Sequence, residues 1–179
     1  LTPARLQDRC AYEERMNFLE YQKLAIRTLP PATEPGGRLE TLALGFTGEP
    51  AEYMCAKGRK GRIKEMGDCF WYLASIMYRY NNFKGIKPVL RVKSRLPWTV
   101  NLLIATGLAG DIIKKHTGHL HAINVQRLAD YVYTAKVCME RICKTEGIDL
   151  AEVWNGNIAK LRKRYPNGFT VEASINRVE

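Results

Sequence analysis

The chain has 179 residues, a hydrophobic fraction of 46% and a formal net charge of +10. This length and composition suit one globular domain with a substantial core and exclude an intrinsically disordered chain. The longest mainly apolar stretch, TVNLLIATGLAG, is too short to cross a bilayer and contains Asn101, so no membrane span is expected. The charge favours an anionic partner, either nucleic acid or polyphosphate, although a basic surface that only serves solubility carries the same charge.

The cysteines and the first residues bear on the compartment. LTPARLQDRC lacks a long apolar run, so we expect no secretory signal in the sequence given. An odd number of cysteines without C-x-x-C spacing indicates reduced thiols and predicts a cytoplasmic protein. These cysteines are Cys10, Cys55, Cys69, Cys138 and Cys143.

Helical periodicity runs through the chain and predicts an all-α fold without strands. The first helix is expected over residues 4–29, with Tyr12, Met16, Leu19 and Ile26 on one apolar stripe. The run PPATEPGG then ends it.

Two helical hairpins and a closing helix are expected to follow, packed as a bundle in one domain over residues 1–179. The first hairpin covers about 38–81, with helices over 38–57 and 62–80 and KGRKG as the turn. A basic linker without sustained period covers about 82–96, and a second hairpin covers about 97–146, interrupted at HTGHLH. A C-terminal helix and tail, which Asp149 caps, occupy 149–179. The predicted inward residues of the second hairpin are Leu128, Tyr131, Val132, Ala135 and Met139, and those of the closing helix are Leu150, Trp154, Ile158 and Leu161.

The two hairpins read as an internal duplication. A shift of 62 residues without gaps places Gly45 on Gly107, Gly48 on Gly110, Glu49 on Asp111 and Asp68 on Asp130. The same shift places Glu52 on Lys114 and Glu65 on Arg127, so the second copy has lost two acids and is a poor candidate for a second metal site. Lys114 and Arg127 are expected to form salt bridges with the neighbouring aspartates or to contact phosphate. The alternative is a chance similarity between two amphipathic hairpins.

Four carboxylates of the first hairpin fall in two pairs at helical spacing, Glu49 with Glu52 and Glu65 with Asp68. Residues three apart share a helix face, and a tight turn packs two helices antiparallel, so the four acids are expected to meet in one groove. Like charges so close repel unless a cation joins them, and carboxylate oxygens suit Mg²⁺ or Mn²⁺, as one ion or two. The alternative is a pair of solvated helix faces, with Glu65 paired to Arg62.

The stretch GFTGEPAE…KEMGDCFWYLA resembles the E-x-x-E…E-x-x-D signature of the MazG-like, all-α nucleoside triphosphate pyrophosphohydrolases. NFLEYQKLAIRT is similar to the opening helix of the bacterial and phage members. GIDLAEVWNGNIAKLRKRYPNGFTVEASINR is similar to their closing helix and tail. The resemblance covers most of the chain and is weakest over residues 82–103.

This resemblance implies Mg²⁺- or Mn²⁺-dependent cleavage of a (d)NTP between its α and β phosphates, which releases a monophosphate and pyrophosphate. Glu49, Glu52, Glu65 and Asp68 are implied to be catalytic metal ligands, one of which also acts as general base. A homo-oligomer (dimer or tetramer), a bacterial or phage-infected cell and a role in nucleotide-pool control are implied as well. A mild preference for a purine such as dGTP rests on family analogy alone.

Several cations are candidates for phosphate binding. Asn157, Lys160 and Arg164 match the N-x-x-K…R pattern of the family's last helix, or else form an ordinary basic helix end that complements the helix dipole. Lys57 and Arg62 flank the turn of the first hairpin and either grip the triphosphate or balance the charge of the acids.

The chain also departs from the family pattern. Ordinary members carry the acids and the tail on one hairpin, whereas here the acids lie in the first hairpin and the tail follows the second. The second hairpin therefore stands in for a partner subunit or a structural half, as in the related dimeric dUTPase-type enzymes. This arrangement puts in doubt whether the closing helix faces the same groove as the acids.

Candidates for base recognition are Tyr21 and Gln22 on the opening helix, where family members place such groups; a merely solvated glutamine is the alternative. Tyr72 lies four residues after Asp68 and is expected to point toward the acids, whereas Trp71 fits better in the core.

The three histidines, His116, His119 and His121, lie close together but have no cysteine or acid nearby to complete a zinc site. They are therefore expected to be ordinary residues of a turn between helices.

A rival function is a non-catalytic basic helical module that binds nucleic acid or a protein partner, supported by the net charge and by the linker KGIKPVLRVKSR. Four convergent acids repel phosphate in the absence of a metal, so nucleic acid is the less favoured partner.

Overall fold

A computed structural model describes residues 16–176 and shows an all-helical chain without strands in that range, which confirms the all-α class. The first part of the predicted opening helix, with Tyr12, and the thiol of Cys10 lie outside these residues. No helix in the described range is both long and apolar enough to cross a membrane. The helices are α1 (Phe18–Ala25), α2 (Leu39–Cys55), α3 (Gly58–Arg79), α4 (Trp98–His119), α5 (Val125–Thr145), α6 (Leu150–Arg164) and α7 (Val171–Ile175).

Helix α1 begins with a capping box, in which the Asn17 side chain accepts from the Glu20 N–H and the Glu20 carboxylate accepts from the Asn17 N–H. Its buried residues include Tyr21 and Ala25, whereas Leu19 is 54% exposed. The predicted apolar stripe is therefore wrong at Leu19. The helix instead turns its aromatic face inward, because that face packs against rings of α3 and α6.

The hairpin of α2 and α3 is tighter than the sequence predicts. Only Ala56 and Lys57 separate the two helices, and α3 already begins at Gly58. Gly58 has a φ of +68°, a left-handed value that glycine adopts without strain and that lets the chain reverse at once. Most of the predicted turn KGRKG is therefore helical, and its cations are exposed.

An aromatic cluster ties α1, α3 and α6 together. The Phe70 ring lies 5.7 Å from that of Trp154 and 6.4 Å from that of Tyr21, measured between centroids. Helix α6 comes so close to α3 that a Cβ on Gly67 would lie 2.9 Å from the Asn157 Cβ. This close approach brings the C-terminal half of α6 against the acid-bearing part of α3.

The linker after α3 runs as an extended strap beside the second hairpin and is fixed by buried polar side chains. The Val89 N–H donates to Asp130 at 2.8 Å, and the Arg91 guanidinium donates to the same carboxylate. The Lys93 N–H donates to Asn101 Oδ1 at 2.7 Å. Asp130 and Asn101 are buried, and the strap supplies hydrogen-bond partners for their polar atoms.

The second hairpin differs from the first in its connection and its ion pairs. Helix α4 continues through most of HTGHLH and ends only at His119, so the predicted break comes several residues too early. Lys114 pairs with Asp111 at 2.8 Å, which confirms the expected salt bridge between these two residues. The other expected salt bridge is wrong, because Asp130 is held by Arg91 of the strap and Arg127 donates to the Tyr131 hydroxyl instead. The duplication itself stays a prediction.

Candidate active site

Three of the four predicted acids come together between α2 and α3. One carboxylate oxygen each from Glu49, Glu65 and Asp68 can be chosen so that all three lie within 4.8 Å of one another. Glu52 lines the same cavity but lies outside this group, as an exposed residue in the last turn of α2. Among the described residues this is the one cluster of potential metal ligands, and no histidine belongs to it.

Glu49 carries the strongest electrostatic signal of the site. Burial, together with the nearby carboxylates of Asp68, Glu52 and Glu65, raises its pKa to about 7 against the opposing effect of Lys160. Its Oε2 is buried and has no hydrogen-bond partner among the described residues. An orphaned carboxylate oxygen beside two further carboxylates fits a hard divalent cation, because such an ion supplies both the missing partner and the compensating charge.

The other two acids of the triad already have protein partners. Lys64 Nζ donates to Glu65 Oε1 at 2.7 Å, and the Lys160 ammonium contacts Asp68 Oδ1. Asn157 Nδ2 also donates to Asp68 Oδ1, at 3.1 Å. These contacts fix the carboxylates of α3 and leave Glu49 as the triad member with the least compensated charge.

Tyr21 and Asn157 lie behind Asp68 and orient it. The Tyr21 hydroxyl donates to Asn157 Oδ1 at 2.8 Å, and both side chains are buried. An amide whose oxygen accepts from a tyrosine must present its nitrogen to Asp68. Asn157 was predicted to bind phosphate and Tyr21 to read a base; in the structure the two side chains bond to each other, and Asn157 donates to Asp68.

The acids open into a cavity of about 390 Å³ between α2, α3, α6 and the C-terminal segment. Lys160 and Arg164 line it together with Glu49, Glu65 and Asp68, so the closing helix does face the same groove as the acids. Arg164 Nε is buried without a hydrogen-bond partner in the described range. The cavity thus combines a carboxylate cluster with cations, as a site for a metal-bound phosphate group requires.

A larger cavity of about 550 Å³ lies between α2 and α4, and its lining includes Leu44, Gly107 and Asp111. It does not contain the carboxylate triad, and Asp111 is neutralised there by Lys114 and Lys115. The size of a cavity therefore does not identify the candidate site. The carboxylate triad and the cations of the smaller cavity do.

Several predicted residues do not line the acid cavity. Lys57 is exposed in the hairpin turn, and Arg62 pairs with Glu146 at 2.9 Å. Gln22 is buried and donates to the Ala74 carbonyl oxygen and to Asn82 Oδ1, so it is neither solvated nor available for a ligand. Tyr72 does line the cavity, as expected.

Other lining residues were not predicted. Lys64 directly precedes Glu65 in the chain, and this position could have indicated that its ammonium group lies beside the acids. Trp71 was assigned to the core, yet it is half-buried, lines the cavity and donates its Nε1–H to Thr28 Oγ1 at 3.0 Å. Tyr165 and Phe169 line the cavity because the chain turns back after α6, which no local pattern announces.

Comparisons of the chain with protein-family models, with curated proteins and with solved structures each found no match.

Proposed function

We propose that this protein is a divalent-metal-dependent nucleoside triphosphate pyrophosphohydrolase that converts a (d)NTP and water to a (d)NMP and pyrophosphate. The observation that carries the proposal is the unpartnered, buried Oε2 of Glu49 beside Glu65 and Asp68, in a cavity that also holds Lys160 and Arg164. The resemblance of the acid pairs to the MazG-like signature supports the same reaction.

Glu49, Glu65 and Asp68 would hold the ion, Mg²⁺ or Mn²⁺. When bound, the ion would polarise a phosphoryl oxygen and favour ionisation of a water molecule. Asn157 and Lys160 keep the Asp68 carboxylate in place. Arg164 offers its free Nε–H to a phosphate oxygen, and together with Lys160 it offsets the charge of the triphosphate.

Glu52 is the best candidate for proton acceptor, because it lines the cavity without belonging to the triad. Its carboxylate would take a proton from the water that attacks the α phosphorus, and the bond from that phosphorus to the bridging oxygen of the β phosphate then breaks. This role differs from the metal ligation that the sequence resemblance implies for Glu52.

The test of the function compares Glu65→Gln with Asp111→Asn. Both remove one acid, but only Glu65 lies in the triad, whereas Asp111 lies in the second hairpin and pairs with lysines. With each (d)NTP and Mg²⁺, we expect wild type and Asp111→Asn to release monophosphate and pyrophosphate. Glu65→Gln should lose about 100-fold or more in kcat/KM.

Product analysis by ion-exchange chromatography measures the activity of each variant, and circular dichroism checks that each variant is folded. Equal activity in the two variants would contradict the proposed site. Activity that persists in EDTA would contradict the metal dependence. Salt-sensitive DNA binding without any nucleotide turnover would favour the basic binding module. The same assay with (d)NTPs of every base tests the expected mild preference for dGTP.

The Glu52→Gln variant separates proton transfer from metal binding. We expect kcat to fall about 100-fold, in the range for loss of a general base, while Mn²⁺ affinity stays within about threefold of wild type. Isothermal titration with Mn²⁺ and steady-state kinetics measure the two quantities. A parallel loss of Mn²⁺ affinity would show instead that Glu52 is a metal ligand.

A further inference from the structure

Among the described residues, four aromatic rings line the acid cavity and have no part in the phosphate chemistry. They are Trp71 and Tyr72 of α3, and Tyr165 and Phe169 of the segment that follows α6. The Trp71 and Tyr72 rings meet edge to face with centroids 4.9 Å apart, and the Tyr165 and Phe169 rings lie 5.7 Å apart. Two aromatic pairs from distant parts of the sequence therefore share one cavity with the carboxylate triad.

The pair on α3 is held in a fixed position next to the acids. Trp71 and Tyr72 follow Asp68 by three and four residues, which places them one helical turn along the same face. The Trp71 indole is fixed by its hydrogen bond to Thr28 Oγ1. The Tyr72 ring packs over Gly45, where a Cβ would come within 2.1 Å of the ring, so α2 leaves this space for it.

The second pair reaches the cavity through a turn after α6. Gly168 has a φ of +91°, a left-handed value, and its N–H donates to the Tyr165 carbonyl oxygen at 3.2 Å. The chain then reverses, so that Phe169 lines the cavity before α7 begins. Phe169 is half-buried, and within the described range its one ring contact is with Tyr165. A phenylalanine kept at a polar cavity in this way has an apolar face to offer to a ligand.

We infer that Trp71, Tyr72, Tyr165 and Phe169 form the binding site for the base of the nucleotide, which stacks there while its phosphates lie at the acids and at Lys160 and Arg164. This inference rests on the proposed function for the nature of the ligand. A planar heterocycle fits the rings because aromatic faces stack on any base, and a cavity of about 390 Å³ lies within the range of small-ligand sites. Base recognition thus comes from α3 and the C-terminal segment, and not from the opening helix.

Stacking of this kind contributes affinity with little discrimination between bases, since every base has a similar π-face. Gln22, the amide that could have read a base edge, is committed to Ala74 and Asn82. We therefore expect a substrate range that tolerates different bases but requires that a base be present.

The test measures binding without turnover. Two probes are titrated by calorimetry in the presence of Mg²⁺: a dNTP analogue with a methylene bridge between its α and β phosphorus atoms, and inorganic tripolyphosphate, which has no base. Phe169→Leu keeps an apolar side chain but loses the ring, Phe169→Tyr restores a ring, and Tyr78→Leu removes an exposed α3 ring outside the cavity.

We expect Phe169→Leu to weaken binding of the analogue by about 10- to 100-fold and to change tripolyphosphate binding by less than about twofold. Tyr78→Leu should bind both probes as wild type does, and Phe169→Tyr should regain most of the affinity for the analogue that Phe169→Leu loses. Equal weakening of both probes, or no effect of Phe169→Leu, overturns the inference, as does failure of wild type to bind the analogue more tightly than tripolyphosphate. A ring-dependent preference for the analogue in a protein that hydrolyses no (d)NTP would retain the base site and reject the proposed activity.

Discussion

Replacement of Glu49 by Gln should make the protein more stable without a divalent cation and, at the same time, nearly inactive with one. We expect kcat/KM for the best (d)NTP to fall about 1,000-fold, the upper end for loss of one electrostatic contact in an active site. The loss should exceed that of Glu65→Gln, because Glu65 and Asp68 are paired with lysines whereas Glu49 Oε2 has no partner in the described chain.

The stability effect follows from the pKa of Glu49, which burial and the neighbouring carboxylates raise to about 7. A carboxyl group with a raised pKa stabilises the fold while it is protonated, and that contribution is lost as the pH rises through the folded pKa. In EDTA, the Tm of wild type should therefore fall between about pH 4.5 and pH 7 and then level off, and Glu49→Gln should flatten this decline. Mn²⁺ at pH 8 should raise the Tm of wild type and leave that of Glu49→Gln unchanged.

Differential scanning calorimetry across pH, with and without Mn²⁺, measures both effects. Asp111→Asn is the matched control and should follow wild type in both series, since Asp111 is neutralised by Lys114 and Lys115. A Tm of Glu49→Gln below that of wild type in EDTA at pH 8 would show that the Glu49 carboxylate is stabilised in the fold, contrary to the cavity geometry.

Phe70→Ala should cause the largest loss of stability, about 3–5 kcal/mol in the free energy of unfolding. Phe70 is fully buried between Phe18, Tyr21 and Trp154, with ring centroids 5.7 to 6.4 Å away. Its removal leaves a cavity at the point where α1, α3 and α6 meet. Urea denaturation followed by circular dichroism gives the free energy.

Tyr78→Ala, on the same helix, is the control for Phe70→Ala. Tyr78 is 49% exposed, so its loss should change the free energy of unfolding by no more than about 0.5 kcal/mol. A similar cost for the two substitutions would contradict the central place of the aromatic cluster. Phe70→Leu should recover part of the stability, because a volume closer to that of phenylalanine shrinks the cavity.

The sequence predicted much of the helical pattern correctly, because that pattern is local. The inward residues of α5 and α6 are buried or half-buried as expected, from Leu128 through Met139 and from Leu150 through Leu161. Asp149 caps α6 by accepting from the Ala151 N–H. The errors lie at helix ends, where Gly58 starts α3 early and α4 runs on to His119. Turn geometry decides these ends, and a short polar run does not reveal it.

The residues of the candidate site were likewise predictable only in part. The spacing of Glu49, Glu65 and Asp68 on two consecutive helices was enough to predict that they share a groove. The exclusion of Glu52 was not predictable from spacing, because it depends on where α2 ends relative to α3. Lys57 and Arg62 looked as close to the acids as Lys64 did, but only the last lines the cavity.

The sequence by itself determined the all-α class and the acid faces of α2 and α3. Both follow from helical spacing, which relates residues only a few positions apart in the chain. The tertiary structure alone decided which other groups meet those acids. Tyr21, Asn157 and Phe169 reach the site from far along the chain, through the packing of α6 on Gly67 and the turn at Gly168. Such contacts depend on how helices rotate and approach each other in the core, which no pattern within a single segment records.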